Sequence, residues 1–203
     1  MTSVTKTRSD LKRESIISAA KSAFQQFGVA STSMDKLAEL AQVSKRTVYN
    51  HFSTKEELVM FLLQEMWRKA MVDSDIRFNT DTPLASQLHR LVADNIQFAT
   101  SDEHMELARV CFGHFFYHPE KLAEQMACFK DQETVMERWV REACEHNALT
   151  ADNPEHAIEE LVSLIKGLVY WPQLMQFAPP LSDADKAQYI DRIVAMFMSR
   201  YGA

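Results

Sequence analysis

No segment of this 203-residue chain alternates apolar and polar residues with period two over the length of a strand. Apolar residues instead return every three or four positions from one end to the other. That is the period of a helix with one side against a core. Breakers are scarce, with 4 glycines and 6 prolines. Three of those prolines, Pro83, Pro119 and Pro154, precede helical patterns, where the first turn tolerates them. The chain is therefore expected to be all-α.

The helices can be placed by their stripes and caps. Ile17, Ala20, Phe24 and Phe27 form one stripe, which stops at Gly28. Met34, Leu37, Ala38 and Ala41 form a second, short helix capped by Thr32 or Ser33. Ser44 is placed to cap a third, Lys45 to His51. Thr54-Lys55-Glu56-Glu57 reads as a capping box, with Glu57 reaching back to the cap, and opens a long helix to about Phe78. Further helices are expected from Pro83 to about Thr100, over Glu103–Tyr117, from Pro119 to about His146, and from Pro154 past Gly167 to a kink at Pro172. Ser182 with Asp185 caps the last one, whose stripe is Ile190, Ile193, Val194 and Phe197.

The net charge of −6 conceals an asymmetry. Residues 1–60 carry nine Lys/Arg against six Asp/Glu, a balance of +3, and the rest of the chain carries −9. A basic head on an acidic body suggests that only the head meets a polyanion. No uncharged apolar run is long enough for a transmembrane helix, so no membrane contact is expected. The polar stretch Met1–Arg13 lacks a secretory h-region. Cys111, Cys128 and Cys144 show no C-x-x-C spacing, which fits a reduced, cytoplasmic protein.

The first ~50 residues hold three short helices, the second and third joined by a tight turn. This is the helix-turn-helix arrangement, in which one helix braces and the next enters the major groove of DNA. Lys45 and Arg46 begin the third helix, where side chains meet base edges. Thr47, Tyr49, Asn50 and His51 can hydrogen-bond phosphates or bases, and Lys55 can hold another phosphate. Val48 and Phe52, four apart, face inward. On spacing alone, a solvated polar helix of an unrelated bundle remains open.

The wording narrows the choice. Phe27-Gly28, Ser31-Thr32-Ser33-Met34-Asp35-Lys36-Leu37-Ala38, Ala41-Gln42-Val43-Ser44-Lys45-Arg46-Thr47-Val48-Tyr49-Asn50-His51-Phe52 and Lys55-Glu56-Glu57-Leu58 together resemble the signature of the TetR family. The resemblance implies a homodimeric, helical transcription regulator with a variable ligand-binding body. It implies phosphate contacts at Ser33, Thr47, Tyr49, His51 and Lys55. It also implies base reading by Lys45 and Arg46, with Ser44, Tyr49 and Asn50 beside them. Gln42 stands where the family usually has Gly, at a position that favours positive φ. Lys6, Arg8, Lys12 and Arg13 lie on a tail that could follow a phosphate strand or a minor groove, or simply stay solvated.

Residues 1–57 are thus read as the DNA-binding domain and 58–203 as a helical domain for effector binding and dimerisation, about nine helices in all. The larger part carries no Gly-rich phosphate loop, no G-x-S-x-G and no H-E-x-x-H, so no catalysis is assigned. Cys111, His114 and His118 share a helix face, but no fourth ligand is spaced to match. No metal and no cofactor are therefore assigned. Among the many aromatics, Phe112, Phe116, Trp139 and Trp171 are candidates to line an apolar effector cavity, with core packing the alternative for each. Lys166–Met175, with Arg138-Trp139 and Asp152-Asn153-Pro154, resembles the C-terminal body of the AefR-like branch. Ile158, Leu161, Ile165 and Leu168, with the stripe Ile190, Ile193, Val194 and Phe197, are expected to pair across a two-fold axis. The expected function is a repressor released from a palindromic operator on double-stranded DNA by a small apolar or amphipathic effector. An activator using the same head stays open, as does a helical enzyme or carrier.

Overall fold

A computed structural model describes residues 7–71, 76–127 and 132–202. Lys6 and Cys128 lie outside them. Among the described residues the regular structure is helical, and a single antiparallel bridge, Leu149 to Gly202, is the sole extended pairing. The chain divides into two compact units: Met1–Arg68 with Glu106–Cys128, and Lys69–Met105 with Phe129–Ala203.

The first unit opens with α1 (Arg8–Ser31), α2 (Met34–Leu40) and α3 (Lys45–His51). Thr7 and Asp10 cap α1 reciprocally, so two amides at its start find acceptors. Arg8, Lys12 and Arg13 are therefore residues of a helix, not of a tail. The buried face of α1 is Ile16, Ala19, Ala20, Ala23 and Phe24, which shares Ala20 and Phe24 with the predicted stripe, while Ile17 is half-buried and Phe27 exposed. Gly28 breaks α1 with φ +76° before a last short turn. Leu37, Ala38, Ala41, Val48 and Phe52 are all buried, so α2 and α3 hold each other through apolar side chains four apart.

α4 (Lys55–Met71) ends before the predicted Phe78, which lies in a non-helical stretch. The predicted capping box is shifted by one residue. The Glu57 amide donates to Thr54 Oγ1, but the Glu57 carboxylate accepts from the Ser53 amide at 2.6 Å. α5 is Leu84–Ala99 and α6 is Asp102–Phe115. The helix predicted from Pro119 to His146 is two helices, α7 (Pro119–Ala127) and α8 (Val135–Glu145). Thr134 and Glu137 form a second reciprocal cap that starts α8 afresh.

In the second unit α5, α8, α9 (Pro154–Ile165) and α11 (Asp183–Tyr201) enclose one core. Between α9 and the single turn α10 (Trp171–Leu174), Lys166–Tyr170 forms a π-helical turn in which the Trp171 amide donates to the Lys166 carbonyl. Pro172 has no amide proton to continue an i→i−4 ladder, and the wider turn lies directly before it, where a kink was predicted. Ser182 and Asp185 cap α11 as read from the sequence.

Ile158, Leu161, Ile165, Ile190, Ile193, Val194 and Phe197 are buried in this core, and Leu168 packs against it. The stripes expected to meet a partner chain are thus covered by their own chain. A two-element stripe satisfies the same periodicity whether the second element is internal or foreign. The large apolar side chains left exposed in this unit, among the described residues, are Trp171, Met175, Phe177 and Met196.

Candidate nucleic-acid interface

The turn between α2 and α3 sets the direction of α3. Ala41 closes α2, the Gln42 amide donates to the Glu39 carbonyl, and the Val43 amide donates to the Ala38 carbonyl at 3.0 Å. These are the two bonds of a Schellman stop, whose residue beyond the cap must be left-handed. Gln42 occupies it at φ +55°. The side-chain penalty is therefore present, about 1–2 kcal/mol for a residue with a Cβ. Ser15 Oγ pins the turn by donating to the Ala41 carbonyl at 2.8 Å.

Ser44 then caps α3, accepting from the Thr47 amide at 3.1 Å, and its hydroxyl lies 2.8 Å from that of Thr47. Ser33 plays the same part for α2, accepting from the Lys36 amide. Val48 is fully buried, which turns the opposite face of α3 outward. That face carries Lys45, Arg46, Tyr49 and Asn50, all exposed, with Thr47 and His51 half-buried at its flank. The sequence-predicted residues therefore come together on one outward surface, Ser33 and Ser44 at the helix starts beside them.

The charges on this surface are not equally available. Lys45 lies 2.7 Å from Asp35 of α2, and that hydrogen-bonded carboxylate raises the Lys45 pKa above its ordinary value. Lys36 pairs with Glu39 at 3.0 Å. Lys55 departs most from expectation. Its ammonium donates to the carbonyls of Val29 at 2.8 Å, Ala30 at 3.0 Å and Thr32 at 3.3 Å. All three of its protons are thus directed at the C-terminal end of α1, where carbonyls and the helix dipole favour a cation. Arg13 is also turned inward, its guanidinium 4.2 Å from the centroid of Phe61 and 5.1 Å from that of Phe52. Sequence reasoning missed Asp35, although ten positions separate it from Lys45 and only the α2–α3 turn joins them.

A concavity of about 330 Å³ runs beside α3, lined by Arg8, Ser9 and Lys12 of α1 and by Thr47, Asn50 and His51. Elsewhere the predicted residues diverge. Phe112 and Phe116 lie in the first unit with ring centroids 6.1 Å apart, and Phe116 is largely exposed. Trp139 and Trp171 belong to the second. Trp139 is wholly enclosed in the core and donates its indole proton to Gln87 Oε1 at 3.3 Å, whereas Trp171 is exposed. Helical spacing marks an aromatic face without saying what covers it, and the two tryptophans differ in what covers them. Burial pushes the Cys111 thiol pKa up to about 12, and the tilted rings of His114 and His118 lie 5.2 Å apart. Among the described residues no cluster of three or more His, Cys, Asp or Glu could hold a metal ion. No helix among them is long and apolar enough to cross a membrane.

Comparison with known proteins agrees with this geometry. Residues 16–60 match the model of bacterial regulatory proteins of the tetR family, and residues 86–203 that of the AefR-like transcriptional repressor C-terminal domain. A crystal structure of a TetR family transcriptional regulator from Pseudomonas syringae pv. tomato superposes with a TM-score of 0.80 at 32% identity, covering 95% of this chain and 97% of that one. The HTH-type transcriptional regulator YhgD of Bacillus subtilis is 36% identical over 91 residues, 43% of this chain and 46% of its own length. This chain thus matches under half of that relative. The "Probable acrEF/envCD operon repressor" of Escherichia coli is 24% identical over 194 residues, 92% of this chain and 86% of that protein. The helix-turn-helix head, its outward α3 and the matched helical body carry one conclusion: the chain belongs to the TetR family of transcriptional regulators, with an AefR-like C-terminal domain.

Proposed function

We propose that this protein is a ligand-responsive, DNA-binding repressor in which residues 1–57 read the operator and residues 58–203 carry dimerisation and the effector. The observation that carries this reading is the orientation of α3. Buried Val48 and Phe52 lock one side, so Lys45, Arg46, Tyr49 and Asn50 project together into solvent at the tip of a basic head. Lys45 and Arg46 meet base edges, and Thr47, Tyr49 and His51 meet phosphates. Lys55 instead acts from within, by holding the end of α1 beside the start of α4.

Two heads in a dimer would contact successive major grooves, about 34–36 Å apart, and prefer a near-palindromic site. The surface that supports a two-fold contact is the exposed apolar set on the last helices, Trp171, Met175 and Met196. The effector is a small apolar or amphipathic molecule that binds the DNA-competent and DNA-incompetent states unequally, since equal affinity would shift nothing. The likeness to a probable operon repressor, 24% identical over 92% of this chain, supports repression over activation.

The test is fluorescence anisotropy with the DNA flanking the protein's own gene. A sequence-preferring, salt-sensitive complex that Arg46→Ala redirects at defined base positions supports the reading, each such contact being worth about 1–3 kcal/mol of discrimination. Binding that is indifferent to sequence and salt refutes it.

A further inference from the structure

The cations of the head differ in what already occupies them. Lys45 is paired with Asp35, Lys36 with Glu39, Lys55 with three carbonyls, and Arg13 with two rings. Arg8 and Lys12 are different. Both are exposed, and among the described residues neither side chain has an ion pair or hydrogen bond. They are one helical turn apart on α1, so both side chains leave the same face. That face forms one wall of the 330 Å³ concavity whose other wall is Thr47, Asn50 and His51. No carboxylate lines it. The nearest acid in sequence, Asp10, is engaged in the α1 cap, accepting from the Thr7 amide and hydroxyl at 2.8 Å each.

We infer that this concavity is a seat for the sugar–phosphate backbone of duplex DNA, in which Arg8 and Lys12 supply charge and Ser9, Thr47 and Asn50 supply neutral donors. The first two turns of α1 thereby join α3 in the DNA interface. The inference rests on the DNA-binding reading above and adds to it a second strand contact, made by residues outside the helix-turn-helix. Helical placement also decides the mode of contact. A flexible arm can thread a minor groove, whereas two side chains fixed on a capped helix beside α3 can only flank it and meet the phosphates that border the groove. The contact is therefore independent of base sequence and strengthens every complex alike.

Such a contact is read from the salt dependence of binding, since each neutralised phosphate contributes about 0.9 to the slope of log K against log salt on duplex DNA. The full chain is titrated into a labelled duplex of arbitrary sequence between about 50 and about 200 mM salt, as wild type and as Arg8→Gln/Lys12→Gln. The double variant should lose about 1.8 from the slope, so that wild type loses roughly twelvefold more affinity across that range. Arg90→Gln, an exposed cation of α5 in the other unit, should keep the wild-type slope. If the double variant is not folded by circular dichroism, Arg8→Gln and Lys12→Gln are measured singly, each expected to lose about 0.9. A folded variant with the wild-type slope overturns the phosphate seat alone. A wild-type protein whose duplex binding ignores salt overturns the DNA-binding reading itself.

Discussion

Replacing Lys55 by Met separates two roles for one cation. The variant keeps the aliphatic stem and removes the ammonium, which leaves the carbonyls of Val29, Ala30 and Thr32 without their shared donor. A hydrogen bond to a charged group contributes about 1.5–3 kcal/mol when well sheltered. Three bonds from one half-exposed ammonium do not add, and water can replace part of what is lost, so a net cost of about 1–2 kcal/mol is expected. For a chain of this size each kcal/mol moves the melting temperature by about 2–4 °C, giving a decrease of about 2–8 °C. The assay is thermal unfolding followed by circular dichroism, run beside anisotropy with duplex DNA. A helix-end clamp predicts lower stability with a salt slope unchanged from wild type. A direct phosphate contact predicts unchanged stability with a slope shallower by about 0.9. A melting temperature within about 1 °C of wild type, together with that shallower slope, would refute the clamp.

Gln42→Gly should relieve about 1–2 kcal/mol of left-handed strain and return about 0.5–1 kcal/mol through the freer unfolded chain, for a net gain near 0.5–1 kcal/mol in urea unfolding. Gln42→Val should move the midpoint the other way, since a β-branched side chain fits that region worst. His104 packs between Phe98 and Tyr170, and burial lowers its pKa to about 4. The unfolded chain therefore takes up a proton near pH 6.5 that the folded chain refuses, so stability present at pH 7.5 falls as pH drops toward 4. After discounting for partial exposure, about 1–2 kcal/mol should be lost between pH 7.5 and 5, and His104→Leu should lose that much less over the same interval. Met196→Glu places a charge on the exposed face of α11, and light scattering at micromolar concentration should show monomers where wild type shows dimers. Dimers that persist in this variant would place the two-fold contact elsewhere.

Much of the fold was legible in the sequence, because its signals are local. The caps at Ser33, Ser44 and Ser182, the stop at Gly28 and the inward pair Val48 and Phe52 each depend on residues within about one turn of one another. The outward set Lys45, Arg46, Tyr49 and Asn50 followed from the same periodicity, whereas the strained φ at Gln42 followed from the resemblance to a family that usually has Gly there. Dense motif wording in the first sixty residues makes the family visible in the sequence itself.

What periodicity cannot specify is the identity of the neighbour across a face. Ile158, Leu161, Ile193 and Phe197 display a helical stripe that would look the same against a partner chain, and only the packing of α5, α8, α9 and α11 assigned them to their own core. Trp139 and Trp171 were equal candidates as aromatics, yet tertiary packing enclosed one and left the other in solvent. The cations diverged for a like reason. Charge is a property of the residue, but its availability depends on groups far away in sequence, such as Val29, which lies 26 positions before Lys55. Sequence alone therefore determined the helical class and what kind of head this chain carries. Tertiary structure decided which of its charges and apolar faces remain for a partner, because burial and pairing are long-range and composition is not.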